Sequence, residues 1–127
     1  MTNNQHSLAD RTVDALAVGR IAAGLLAWIS PRLTAQVFGM SDAGQSAYSW
    51  RLFGVRDVVI GIGTLRSSGA QRRAFLTAGL ACDVGDGAAG AVAMRRGDFK
   101  RSSAGAPVTV PVLAVVLGGW ALRGLLR

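Results

Sequence analysis

Five charged residues lie inside stretches of otherwise apolar sequence, where a charge is costly. They are Arg20 in the first stretch, Arg56 and Asp57 in the second, and Asp83 and Asp86 in the third. At the centre of a bilayer each such charge costs about 2.5–3.5 kcal/mol on insertion scales. Residues of this kind face the interior of a helix bundle, where they pair with one another or serve a function. The pattern therefore predicts a buried polar centre.

Arginine and aspartate suit such a centre because a guanidinium group donates two parallel hydrogen bonds to one carboxylate. The five residues lie within about one helical turn of the midpoints of their stretches, so their side chains can meet in one layer. We expect Arg20 and Arg56 to pair with Asp83 and Asp86. Because Arg56 lies about 100° around the helix from Asp57, we expect these two to address different neighbours.

The charges of this centre do not balance. Two arginines against three aspartates leave one negative charge over, unless Arg51 reaches inward. Two close carboxylates in a dry setting cannot both be ionised without cost, which predicts a site for a proton or a cation. Two interpretations stay open. Either the charges only fix the register of the helices, or they also bind a small lipophilic ligand, such as a quinone or a lipid, or handle protons.

Glycines flank these charges at helical spacing. Gly79, Asp83, Asp86 and Gly90 follow a 4-3-4 spacing, which puts them on one face of a helix that a neighbour can approach closely. The same reasoning predicts two further faces, formed by Trp50, Gly54, Asp57 and Gly61 in the second stretch and by Leu16, Arg20, Ala23 and Ala27 in the first.

The composition favours a membrane protein. Half of the residues are hydrophobic and 17 are glycine, a content that weakens soluble helices but lets membrane helices approach closely. We predict an all-α fold, a bundle of four transmembrane helices behind a polar tail at 1–11, with spans near 12–30, 48–66, 74–94 and 107–124. A short segment between the first two spans, with Leu33, Val37 and Met40 on one face, is expected to lie in the membrane interface, and Tyr48 and Trp50 to form an aromatic belt.

Several classes of function are disfavoured. The net charge is +7, yet the basic residues do not cluster on one helix face, which argues against nucleic-acid binding. There is no serine–histidine–aspartate set, no CxxC pair and no phosphate-binding glycine loop, so no catalytic residue, metal or cofactor is predicted. We expect the lipid bilayer as the main partner, and both termini in the cytoplasm, although flanking positive charge differs little between the two sides.

Two segments carry a resemblance to a known family. They are WRLFGVRDVVIGIGTL at 50–65 and VGRIAAGLLAWISP at 18–31, the latter followed by a short segment that ends in VFGM. With the aspartate-bearing third helix, the chain resembles the DoxX-like group of small four-helix integral membrane proteins, and its composition resembles that of high-GC actinobacterial proteins. The resemblance implies a bacterial inner-membrane protein in which Arg56, Asp57 and the third-helix aspartates are carried over. It implies no established activity.

Two hypotheses of function follow. The first is a membrane module without enzymatic activity, acting as an accessory subunit of a larger membrane complex or as a homo-oligomer. The second is a small proton-coupled transporter or exporter that works as a dimer. Membrane carboxylates and nearly balanced flanking charges favour the second hypothesis. The absence of a glutamate near the start of the first helix, which the dual-topology exporters have, favours the first.

Overall fold

The computed structural model describes residues 3–39, 47–99 and 106–126, with side chains from Leu8 onward. This part of the chain forms five α-helices and no β-strand element. The all-α class is therefore confirmed for the described residues. The helices are α1 Asn3–Ile29, α2 Pro31–Val37, α3 Ala47–Arg66, α4 Gly69–Arg96 and α5 Ala106–Leu125.

Proline and glycine set several helix ends. α1 ends at Ile29, and Pro31 opens α2, because proline fits the first turn of a helix but not its interior. α4 ends at Gly97, which adopts the left-handed conformation at φ 81° and donates its N–H to the Met94 carbonyl at 3.1 Å. Within α5, Pro111 lacks the N–H that would otherwise bond the carbonyl of Pro107.

The predicted spans at 48–66 and 107–124 agree with α3 and α5 within the usual uncertainty of helix ends. Helix α1 already begins at Asn3, within the residues predicted as a polar tail at 1–11, and α4 begins at Gly69 rather than near Ala74. Packing explains the longer α1, because Ala9 is buried against Gly124 of α5. A Cβ added to Gly124 would lie 2.9 Å from the Cβ of Ala9.

The segment between the first two spans forms the short helix α2. Its Leu33 and Val37 are exposed, as expected of an outward apolar face, while Pro31, Thr34 and Ala35 are buried against the bundle. The third residue predicted for that face, Met40, lies outside the described residues.

The four long helices are arranged as a ring. α1 packs against α3 and α5, and α4 packs against the same two helices from the opposite side. Therefore α1 and α4 lie across one diagonal of the bundle, and α3 and α5 lie across the other. Away from the ends of the bundle, a side chain that joins α1 to α4 must therefore cross the interior.

Small residues let the helices approach closely. A Cβ added to Gly24 of α1 would lie 2.6 Å from the carbonyl oxygen of Gly54 on α3, closer than real Cβ contacts. A Cβ on Gly61 would lie 2.7 Å from the Ala17 carbonyl oxygen. Two of the predicted packing glycines, Gly54 and Gly61, thus lie at the α1–α3 contact.

The predicted face of α1 is only partly correct. Ala27 is buried as expected, but Ala23 is exposed and Leu16 is half-buried. The buried stripe instead runs through Ala17 and Gly24. The reason is steric: the closest approach between two helix backbones requires the smallest residue on both sides, and on α1 that residue is Gly24 rather than its neighbour Ala23.

Replacing Gly24 by alanine is expected to lower the free energy of unfolding by about 1–3 kcal/mol, as overpacking typically does. This loss of stability should appear although alanine favours a helix over glycine by about 1 kcal/mol. The matched control is Gly85→Ala on α4, where an added Cβ meets open space, and it should be neutral or stabilising. Thermal unfolding of the purified variants measures both, and equal melting temperatures would contradict the close α1–α3 contact.

Candidate functional site

Arg20 extends from the middle of α1 to two other helices. Its Nη1 donates a hydrogen bond to Asp57 Oδ1 on α3 at 3.4 Å, and its Nη2 donates a short one to Asp83 Oδ2 on α4. The guanidinium group therefore crosses the α1–α4 diagonal. Gly79 makes room for it, because a Cβ there would lie 2.9 Å from the Arg20 Nη2. This predicted packing glycine accommodates a charged side chain rather than a helix backbone.

Arg56 of α3 makes the second cross-helix pair. Its Nη1 and Nη2 donate to Oδ1 and Oδ2 of Asp86 on α4 at 3.2 and 2.6 Å, which is the bidentate geometry of a strong pair. The guanidinium carbon also lies 5.0 Å from the centre of the Phe53 ring, within cation–π distance.

Asp57 joins the two pairs into one network. Its Oδ1 accepts from Arg20 at 3.4 Å and from Arg56 Nε and Nη2, each at 3.4 Å. The structure thus brings together all five predicted charged residues. As expected, Arg56 and Asp57 address different neighbouring helices, since Arg56 pairs with Asp86 of α4 and Asp57 with Arg20 of α1. The long arginine side chain also contacts Asp57 on its way to Asp86.

The network has a buried half and an accessible half. The side chains of Asp57 and Asp83 are 6% and 10% exposed, whereas those of Arg56 and Asp86 are 33% and 31% exposed. Arg51 is exposed. It is therefore not the inward counter-charge that would balance the three carboxylates.

A partly open cavity of about 660 Å³ lies next to this network. That volume is within the range of about 300–1,000 Å³ that small-molecule sites have. Four members of the network line it, while the fifth, Arg56, is not among the lining residues. Apart from these charges the wall is mainly aliphatic and aromatic. The lining charged residues are Arg20, Asp57, Asp83 and Asp86.

Aromatic rings line one end of the cavity. The rings of Phe38 and Trp50 lie 5.3 Å apart, and Trp50 meets Phe53 edge to face at 5.8 Å. Trp50 is therefore half-buried in an aromatic cluster rather than in an outer belt, whereas Tyr48 is exposed. The indole Nε1 is buried, with no hydrogen-bond partner among the described residues.

The aromatic end of the cavity was not identified from the sequence. One signal was available: Phe38 follows α2, Trp50 and Phe53 lie in the first turns of α3, and Phe99 follows α4. In an up-and-down bundle these points all fall at the same end. Whether the aromatic rings of α3 point inward or outward depends on how α3 is rotated about its own axis, which composition does not reveal.

Exposed residues of all four long helices line the cavity, more of them on α1 than on any other helix. Ala15, Gly19 and Ala23 are exposed and also line the cavity, and Val110 and Ala114 of α5 lie on its wall. A Cβ added to Gly19 would meet open space. The opening is thus on the side of the bundle, bordered by residues without long side chains.

A separate ion-pair cluster lies at the opposite end of the bundle. Arg72 of α4 donates to Asp14 Oδ1 at 2.7 Å and to the Asp10 carbonyl at 3.3 Å, both on α1. It also donates to the Thr64 carbonyl of α3 at 3.3 Å. Both aspartates are about half-exposed, so this cluster ties three helices together at the surface. It also explains why α1 and α4 begin earlier than predicted.

Removing the charge of Arg20 should destabilise the protein strongly. An Arg20→Met variant leaves two buried carboxylates without their main counter-ion, and breaking such a pair costs about 3–5 kcal/mol. The double variant Arg20→Met/Asp83→Leu should recover part of this loss, because one of the uncompensated charges is gone.

The comparison is Arg72→Met, whose side chain is similarly buried but whose partners Asp10 and Asp14 are about half-exposed. Its loss leaves no buried carboxylate without a counter-ion and should therefore cost less than the loss of Arg20. Chemical or thermal unfolding of the four proteins measures the differences. If Arg20→Met costs no more than Arg72→Met, the Arg20 network does not hold the helices together.

Comparison of the chain with protein-family models, with curated proteins and with solved structures gives no match.

Proposed function

We propose that this chain is a small DoxX-like integral membrane protein with four membrane-spanning helices, whose side cavity binds a small lipophilic ligand. One observation carries the proposal: the molecule has charged and small residues inside and large apolar residues outside. The buried apolar residues are mainly alanines, and Val13 is the only large side chain that is fully buried among the described residues. A water-soluble protein has the opposite distribution.

The outer faces of the helices support this proposal. Between Arg51 and Arg66 all exposed residues of α3 are aliphatic, and this face is about 20 Å long at 1.5 Å per residue. The exposed residues of α4 from Ala74 to Met94 carry no charge. Apolar exposure on this scale marks a membrane or protein contact. The exposed aliphatic residues of α3 are Leu52, Val55, Val59, Ile62 and Leu65.

Only two helices are long and apolar enough in composition to cross a membrane, at Leu8–Ile29 and Ala106–Leu125 in the described part of the chain. α3 and α4 each carry two charged residues near their centres, and these are the ones in the interior network. A count over the whole helix includes these inward residues, although lipid would contact only the outer face. The proposal therefore includes α3 and α4 as spans.

The cavity supports the ligand-binding part of the proposal. It combines apolar walls, a few convergent polar groups and a volume typical of small-molecule sites. Exposed residues on the side of α1 line it, so in a bilayer a lipophilic molecule would reach it from the hydrocarbon layer. We propose that the charge network both holds the helices and faces the ligand, in a cell-membrane protein with cytoplasmic termini that acts as an accessory subunit or homo-oligomer.

A second candidate function is a dimeric proton-coupled transporter. Asp86 favours it, because this carboxylate lines the cavity with a side chain 31% exposed and belongs to a network with surplus negative charge. A carboxylate in that position could bind a proton in exchange for a substrate. The two candidates differ in whether ligand binding is coupled to movement across the membrane.

Site-directed labelling tests the proposed spans. In a Cys82→Ala background, single cysteines replace the outward residues Val59 and Val84, on α3 and α4, and Gln71 near the start of α4. A charged maleimide should label the Gln71→Cys protein, in intact vesicles if residue 71 faces outward and after permeabilisation if it faces inward. It should fail to label the other two, because hydrocarbon excludes charged reagents. Rapid labelling of Val59→Cys would contradict a membrane-spanning α3.

Filling the opening of the cavity tests ligand binding. The probe is decylubiquinone, a neutral lipophile that quenches tryptophan fluorescence, and the reporter is Trp50 in a Trp28→Phe/Trp120→Phe background. We expect saturable quenching that Gly19→Phe weakens about tenfold or more, because the ring occupies the opening. Gly85→Phe is the matched control, since Gly85 also has open space at its Cβ but does not line the cavity. Equal weakening by both variants would contradict binding in this cavity.

A further inference from the structure

We infer that the cavity selects lipophilic cations, that is, organic ions whose single positive charge is surrounded by apolar groups. The inference rests on the proposed function and narrows it to a ligand class. It is carried by the charge of the cavity wall, the free carboxylate oxygens and the aromatic rings at one end.

The wall of the cavity is negatively charged. Among the described lining residues, three carboxylates face one guanidinium group, that of Arg20. The second guanidinium group, Arg56, pairs with Asp86 from outside the lining. With both arginines counted and all three carboxylates ionised, one negative charge remains, and in surroundings of low dielectric an unbalanced charge is costly. One monovalent cation would neutralise it.

The carboxylates retain capacity to accept hydrogen bonds. Asp57 receives all its hydrogen bonds on Oδ1 and Asp83 on Oδ2, so the other oxygen of each accepts none from the described residues. Asp86 is the most exposed of the three. A cation in the cavity would therefore meet partial negative charge from several directions without breaking the arginine pairs.

The aromatic end favours the same ligand class. Faces of tryptophan and phenylalanine rings attract cations, with the largest gain when water is excluded. Phe53 already has the Arg56 guanidinium group 5.0 Å from its ring centre, and Trp50 lies next to Phe53. An organic cation could place its apolar groups against these rings while its charge lies near the carboxylates.

Other ligand classes fit less well. An anion would be repelled by the surplus negative charge. A small inorganic cation would lose its hydration shell, and mainly aliphatic and aromatic walls offer few oxygen atoms to replace it. A neutral lipophile would fill the volume but leave the charge of the wall unbalanced.

Three probes of similar shape and different charge test the inference with the full-length purified protein. They are tetraphenylphosphonium, tetraphenylborate and the neutral triphenylphosphine oxide, each measured by equilibrium dialysis against detergent-only controls. We expect the phosphonium ion to bind at least about tenfold more tightly than the neutral probe, and the borate not to bind above the control.

Two variants locate the selectivity. Asp86→Asn removes the surplus charge while an amide oxygen can still accept from Arg56, and Ala89→Lys adds a positive charge at an exposed lining position. Each should weaken phosphonium binding about tenfold and weaken binding of the neutral probe clearly less. The control Asp14→Asn removes the same charge at a position outside the cavity and should change neither.

The outcomes separate the inference from the proposed function. Equal binding of the phosphonium ion and the neutral probe, or phosphonium binding that neither cavity variant weakens, would overturn cation selectivity. The lipophilic cavity would then still stand. If none of the three probes and no decylubiquinone binds, the proposed function itself is wrong.

Discussion

The position of Arg20 constrains the rest of the structure. A guanidinium group in the interior of a helix bundle is tolerated only if carboxylates meet it there, and Asp57 and Asp83 do so from two different helices. The side chain needs space along the bundle diagonal, which Gly79 provides by lacking a side chain. The interior beside this arginine is therefore not closed by large apolar side chains, and the cavity lies where such a core would otherwise be.

The cross-helix pairs could be predicted because they follow from position along the helix alone. Charges at similar depth in separate apolar stretches have few partners except one another, so pairing of Arg20 and Arg56 with Asp83 and Asp86 was expected. Which arginine meets which aspartate is seen only in the structure. Rotation about the helix axis could not be predicted equally well. Gly24 rather than Ala23 lies on the buried face of α1, and Trp50 points inward from α3. Both depend on which parts of the α1 and α3 backbones approach most closely.

The ends of helices were the other feature that local sequence did not determine. Residues 3–11 contain little apolar surface, and nothing in them predicts a helix. They extend α1 because Arg72 binds Asp10 and Asp14 from a distant part of the chain, and because Ala9 packs against α5. Such contacts are tertiary, so a reading of local periodicity misses them. The cavity was missed for the same reason: it is bounded by four long helices and is a property of their arrangement.

The charges inside α3 and α4 also bear on how the chain would enter a bilayer. Before the bundle forms, Arg56 and Asp57 on one helix and Asp83 and Asp86 on the next have no shared partner from α1, so each helix alone partitions poorly into hydrocarbon. Joined by the short connection Ser67–Ser68, the two can neutralise each other only as a hairpin, and Arg20 must already be present to balance Asp83. If α3 and α4 span the membrane as proposed, their insertion is therefore expected to be cooperative and to require that α1 be inserted first.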